Sequence, residues 1–185
     1  MHTHSANASL LDRMIGVARL DLPTYAAIKS DPDALAQAAL VVFLSALATN
    51  AWVVVFAARG AVNALGGIAL AFVAWALFAV IAWWLGRMWL APRWAQPDLG
   101  QMLRLTGFAT VPNLLNVLGF VPLLGWLILM IAAIWGLAAA YTAVRVGLAT
   151  TQGKALAATF FAYLAQALVF ALAANWLGIA RGGLV

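Results

Sequence analysis

The sequence predicts an all-α membrane protein of five transmembrane helices behind a short amphipathic interfacial helix, and three observations carry that prediction. Residues 34–58, 60–86, 105–144 and 155–180 contain no charged side chain. A bilayer core is crossed by roughly 20 apolar residues, so three of these stretches fit one crossing each and 105–144 fits two. The chain is 66% hydrophobic and only 8% charged, against about 25% charged in soluble domains. Its cations also fall unevenly. With a cytoplasmic N-terminus, five crossings place Arg13, Arg19, Lys29, Arg87, Arg93, Arg104, Arg145 and Lys154 inside and only Arg59 and Arg181 outside. This split obeys the positive-inside rule. The net charge of +5 therefore reads as topology and contact with anionic headgroups. No basic cluster is interleaved with exposed aromatics, so nucleic acid is not an expected partner.

Each element has a local cause. Ser9 and Asp12 have the spacing of a capping box, and Leu10, Leu11, Met14, Ile15 and Ala18 share a helical face. The segment reads as a short helix lying in the cytoplasmic interface. Pro23 opens a second short turn. Asp31-Pro32-Asp33 then supplies a capping acid and a proline at the first helical position, and the first span runs over about 33–57. Arg59-Gly60 and Asn63 to Gly67 read as a short external loop before a second span at about 67–90. Pro92 and Pro97 break the chain, and Asp98 caps the next helix.

The third span carries Pro112 and is expected to kink there. A proline removes one backbone hydrogen bond, so a neighbour must satisfy the freed carbonyl. An apolar hairpin at 119–125 leads into a fourth span at about 124–146. A turn at 150–153 leads into a fifth at about 154–177. Trp83, Trp84, Trp89, Trp94, Trp126 and Trp176 lie near span ends, where an amphipathic ring suits the headgroup layer. Residues 1–32 then form a cytoplasmic tail with the interfacial helix, 33–178 the membrane domain and 179–185 an external tail. Residues 1–33 lack the apolar core of a cleavable signal peptide, so the first span reads as an uncleaved signal-anchor.

Chemistry is sparse. Cysteine is absent. His2 and His4, the two histidines, read as part of an unstructured tail rather than a metal pair. Charged and histidine side chains, which intramembrane relays and metal sites need, are missing from the four long stretches. No enzyme, metal or cofactor is expected. What remains is uncharged polarity. Thr106, Thr110, Asn113 and Asn116 recur at helical spacing beside Pro112. Gln37, Ser45 and Thr49 partly align on the first span, next to Asn50, and Thr159, Tyr163 and Gln166 align on the fifth. These groups either build a polar pocket or path around a broken helix or simply hydrogen-bond across helices. The second is the plainer reading.

Ala132, Gly136, Ala140, Ala143 and Gly147 form a small-residue face on the fourth span, suited to close helix packing or to a partner. Ala158 and Ala162 repeat the step on the fifth. Arg87, Arg93, Arg104 and Arg145 sit at cytoplasmic span edges and read as headgroup anchors.

The interfacial helix at 11–20, Ser30-Asp31-Pro32, Leu103-Arg104-Leu105-Thr106-Gly107-Phe108-Ala109 with Pro112, Phe120-Val121-Pro122 with Gly125, and Lys154-Ala155 together resemble the bacterial branch of the Yip family. That family is named for proteins that interact with Ypt/Rab GTPases. The resemblance spans about 9–178, with its most specific stretch at Gly107–Pro112. It implies a five-span inner-membrane protein with no catalytic motif. The family's eukaryotic members carry a cytosolic N-terminal extension and an Asp-Leu-Tyr-Gly-Pro element. Neither has a counterpart here, so GTPase binding is not carried over. The expected function is that of a scaffold or accessory subunit that docks another integral membrane protein, or a second copy, or organises lipid. The alternative is a small transporter or lipid-translocating protein using the polar face of the third span.

Overall fold

The computed structural model describes residues 9–56, 60–92, 94–95 and 97–176, and the side chains among these except those of 52–56, 60–64 and 173–176. His2, His4, Arg59, Arg93 and Arg181, the tail at 179–185 and the side chain of Trp176 lie outside this description. The described chain is helical, with no strand among its residues. Two short helices, α1 (Leu10–Ala18) and α2 (Leu22–Ser30), precede α3 (Ala34–Phe56) and α4 (Gly60–Leu85). A π-helical turn, Gly86–Leu90, ends α4. Then come α5 (Leu99–Phe108), a 3₁₀ segment (Val111–Phe120), α6 (Gly125–Leu148) and α7 (Gln152–Trp176). Four helices, α3, α4, α6 and α7, are long and apolar enough to cross a membrane.

The elements form a ring. α3 packs on α4, α4 on α7, α7 on α6, and the 3₁₀ segment closes the circle between α6 and α3. α5 lies against α3, α4 and α6. Its start is fixed by Asp98, whose side chain accepts from the Gln101 amide at 3.0 Å.

The segment expected as the third span differs from a single bent helix. α5 stops at Phe108, and the chain resumes as a 3₁₀ helix at Val111, with Pro112 in its first turn. Proline has no amide proton to continue the α-helical ladder. The Asn113 amide donates instead to Thr110 O at 2.9 Å. That carbonyl also accepts from Ser45 Oγ of α3 at 2.9 Å, so α3 is tied to the chain at the break.

The start of α4 also differs from expectation. Gly66 and Gly67 read as loop residues, yet the helix begins at Gly60. The physical reason is close approach. A Cβ at Gly67 would strike the Asn50 amide of α3, so this glycine admits a neighbouring helix and makes no turn.

The N-terminal pair is docked on the bundle. α1 has the expected capping box, with Asp12 N donating to Ser9 Oγ and Ser9 N to Asp12 Oδ2, each at 3.2 Å. The α1–α2 hairpin is hydrogen-bonded to α6. Trp135 Nε1 donates to Ala18 O at 2.9 Å, Tyr25 Oη to Ala139 O at 3.3 Å, and Lys29 Nζ to Val146 O at 3.0 Å. The bundle thus takes the face that carries Arg13, Gly16 and Val17, while Leu11 and Ile15 stay exposed.

Arg13 is buried and pairs with Asp31 at the entry to α3. This hydrogen bond holds the Asp31 carboxyl below its ordinary value, against the opposing effect of desolvation and with further help from the Asp33 amide. A depressed carboxylate stabilises the fold above its unfolded pKa and loses that contribution as pH falls through the folded one. Amide exchange in α1 should therefore be slow at neutral pH and accelerate only below the ordinary aspartate range. Protection that stays flat into that acid range would contradict the latch.

Candidate functional site

A cavity of about 660 Å³ sits at the centre of the ring, within the usual range for small-molecule sites of roughly 300–1,000 Å³. α3 contributes Ser45, Thr49 and Asn50, and α4 contributes Trp75 and Phe78. The break between α5 and the 3₁₀ segment contributes Thr106, Thr110 and Asn113. α6 offers Gly136 and Ala140, and α7 offers Tyr163 and Gln166. The cavity exists because the 3₁₀ segment leaves the line of α5 and moves outward between α3 and α6. One end is shut. Ala38, Ala82, Leu105 and Ala143 are fully buried beneath it.

Among the described residues the lining holds no charged side chain. Its hydroxyl protons are committed to backbone carbonyls. Ser45 donates to Thr110 O, Thr49 to Ser45 O, Thr106 to Met102 O and Thr110 to Gly107 O, all between 2.7 and 2.9 Å. Asn50 Nδ2 donates to Ala46 O at 2.8 Å, Gln166 Nε2 donates to Ala74 O, and Trp75 Nε1 donates to Leu103 O at 3.1 Å. The Gln166 and Trp75 bonds fasten α7 and α5 to α4. Among the described residues, neither the Asn113 side-chain amide nor the Tyr163 hydroxyl takes a partner, although both residues line the cavity.

Three of the four polar residues singled out on the third span thus meet here. The fourth, Asn116, is a strut, donating to Thr49 Oγ1 at 3.0 Å. Thr159 bonds within its own helix to Ala155 O at 2.8 Å, and Gln37 keeps a buried Oε1 without a partner among the described residues. Trp75 and Phe78 were not singled out by sequence reasoning. The available signal was position, because Trp75 sits mid-span, away from the headgroup belt, and a buried indole N–H needs an acceptor.

Within the bundle, Ala132, Ala140, Ala143 and Gly147 are buried. A Cβ at Gly147 would strike the Met102 sulfur, and one at Gly136 would touch Asn113 Oδ1 at 3.4 Å. The small-residue face therefore admits α5 and the 3₁₀ segment. Of the arginines, Arg87 is exposed, with its guanidinium 5.7 Å from the Trp83 ring centre, and Arg145 is half-buried. Arg104 is buried and donates to Lys29 O at 2.9 Å. It ties α5 to α2 rather than reaching toward headgroups.

The family model of the Yip1 domain matches residues 22–183. The chain belongs to the Yip family. The match begins at Leu22, the first residue of α2, and takes in α2 to α7, so the whole cavity lies inside the Yip1 domain. No curated protein and no solved structure matches the chain.

Proposed function

We propose that this Yip-family chain is a non-enzymatic, five-crossing accessory membrane protein that organises lipid by holding an uncharged amphiphile in its central cavity. The observation that carries the proposal is the uncharged, polar-lined cavity at the break in the third crossing. A hydrolase or transferase would need a base or nucleophile. The lining supplies only amides, a phenol and hydroxyls whose protons are committed.

Packing along α6 supports five crossings. Met102 lies against Gly147, Asn113 against Gly136 and Leu129 against Gly119. Those positions on α6, 129 to 147, span about 27 Å of helix, close to the roughly 30 Å hydrocarbon core. α5 and the 3₁₀ segment together therefore run the depth of a crossing, which neither does alone. Arg13, Lys29, Arg87, Arg104, Arg145 and Lys154 gather at one end of the bundle, where α3, α5 and α7 begin. By the positive-inside rule that end faces the cytoplasm, which puts the N-terminus inside and the C-terminus outside. For a member of the bacterial branch the membrane is the inner one.

Docking of another integral protein has no free small-residue face to use, since that face is filled by the third crossing. Translocation would need the packed floor at Leu105 to open. The test is lipid extraction and mass spectrometry of the purified protein beside Ala71→Phe, which fills the cavity from α4. Wild type should retain a stoichiometric uncharged lipid, and the variant should fold normally and lose it. Equal lipid content in both would refute the proposal.

A further inference from the structure

The hydrogen-bonding inventory of the cavity narrows the ligand. Resting on the cavity reading above, we propose that the occupant is an uncharged lipid whose head carries hydroxyl groups, of the monoacylglycerol type. Acceptors dominate the lining. Ser45, Thr49, Thr106 and Thr110 have given their protons to backbone carbonyls, so toward the cavity their oxygens act as acceptors, the Thr49 oxygen already taking one bond from Asn116 Nδ2. Asn50 and Gln166 are oriented by their bonds to Ala46 O and Ala74 O. A carbonyl oxygen can only accept, which fixes the nitrogen on that side of each amide and leaves each side-chain oxygen as a further acceptor. The remaining donors are the second N–H of these two amides, the Asn113 amide and the Tyr163 hydroxyl.

A ligand that only accepts, such as an ester or a quinone, would leave most lining oxygens unanswered, and an unanswered buried polar group is costly. A head with several hydroxyls answers them. Charge excludes the other classes. A phosphate or carboxylate would enter without a cation to meet it, and an ammonium would enter without a carboxylate, each with an unrecovered desolvation cost. The apolar lining from Trp75, Phe78, Ala140 and Leu137 suits the first part of an acyl chain.

The test holds the chain constant and changes the head. Mono-oleoylglycerol, methyl oleate, oleate and oleylamine are titrated onto the delipidated full chain, and bound mass is counted by native mass spectrometry. Mono-oleoylglycerol should bind one to one, and the other three at least roughly tenfold more weakly, the loss of one or two charge-free hydrogen bonds being worth about that much. Asn113→Leu and Gln166→Leu should each weaken mono-oleoylglycerol by about the same factor, and Ala71→Phe should abolish it. Asn113→Leu guards against a folding artefact, because the Asn113 side chain makes no hydrogen bond among the described residues and its backbone bond to Thr110 O survives the change. Equal binding of methyl oleate, oleate or oleylamine would overturn the hydroxyl assignment and leave the cavity reading standing. Saturable binding by none of the four would overturn both.

Discussion

Gly107→Val should destabilise the protein by about 3 kcal/mol, the upper end of overpacking costs, and Gly107→Ala should also be destabilising. The direction is informative. On helix propensity alone, alanine in place of a mid-helix glycine stabilises by roughly 1 kcal/mol. Here a Cβ would stand 2.8 Å from Ala38 Cβ, and 3.2 Å from both Ala38 O and Trp75 Cε2. α3 and α4 meet α5 at this point, and backbone cannot yield as a flexible side chain does. Valine must push α5 away from α3, which also displaces Thr106 and Thr110 from the cavity wall. Thermal unfolding in detergent reads the cost, and lipid retention reads the displacement. A stabilised Gly107→Ala variant would show that the α3–α5 contact is not made.

Tyr25→Ala should cost about 3 kcal/mol, as burial-dependent truncations of large rings do, and the loss should be local. The Tyr25 side chain is fully buried between the hairpin and α6, and its hydroxyl reaches Ala139 O. Burial also raises the pKa of its phenol above the ordinary value, so it docks as a neutral group at any physiological pH. Truncation removes both the ring and the bond that hold α2 upright. Amide exchange should then rise across α1 and α2 while α4 and α7, which make little contact with the hairpin, stay protected. A uniform rise over all helices would contradict a separately docked hairpin.

Charge-free length made α3, α6 and α7 legible almost to their ends, because a bilayer crossing has one dominant requirement. The caps at Ser9 and Asp98 were legible for a local reason, a side chain meeting a backbone amide three residues on. Gly67 was not, because a glycine that ends a helix and one that admits a neighbour look alike without the neighbour. The seat of the α1–α2 hairpin on α6 was not legible for a related reason. Its apolar residues fit either lipid or protein, and only the surface of α6 chooses between them.

The cavity was half legible. Thr106, Thr110 and Asn113 share a face by periodicity alone, and Pro112 marked the break. That the chain would pass into a 3₁₀ helix, and that Trp75, Tyr163 and Gln166 would converge on the gap, depends on the order of helices around the ring. One-dimensional spacing does not carry that order.

The natural chain lacks cysteine, so single cysteines can report sidedness without any background. Leu123, in the turn after the 3₁₀ segment, is 91% exposed, and Ala95 lies in the turn before α5. In inside-out and right-side-out vesicles, a membrane-impermeant maleimide should label Leu123→Cys and Ala95→Cys from opposite sides, as the proposal that α5 and the 3₁₀ segment together make one crossing requires. Labelling of both from the same side would mean that the third segment enters and leaves by one face, and the five-crossing bundle with its central cavity would not stand.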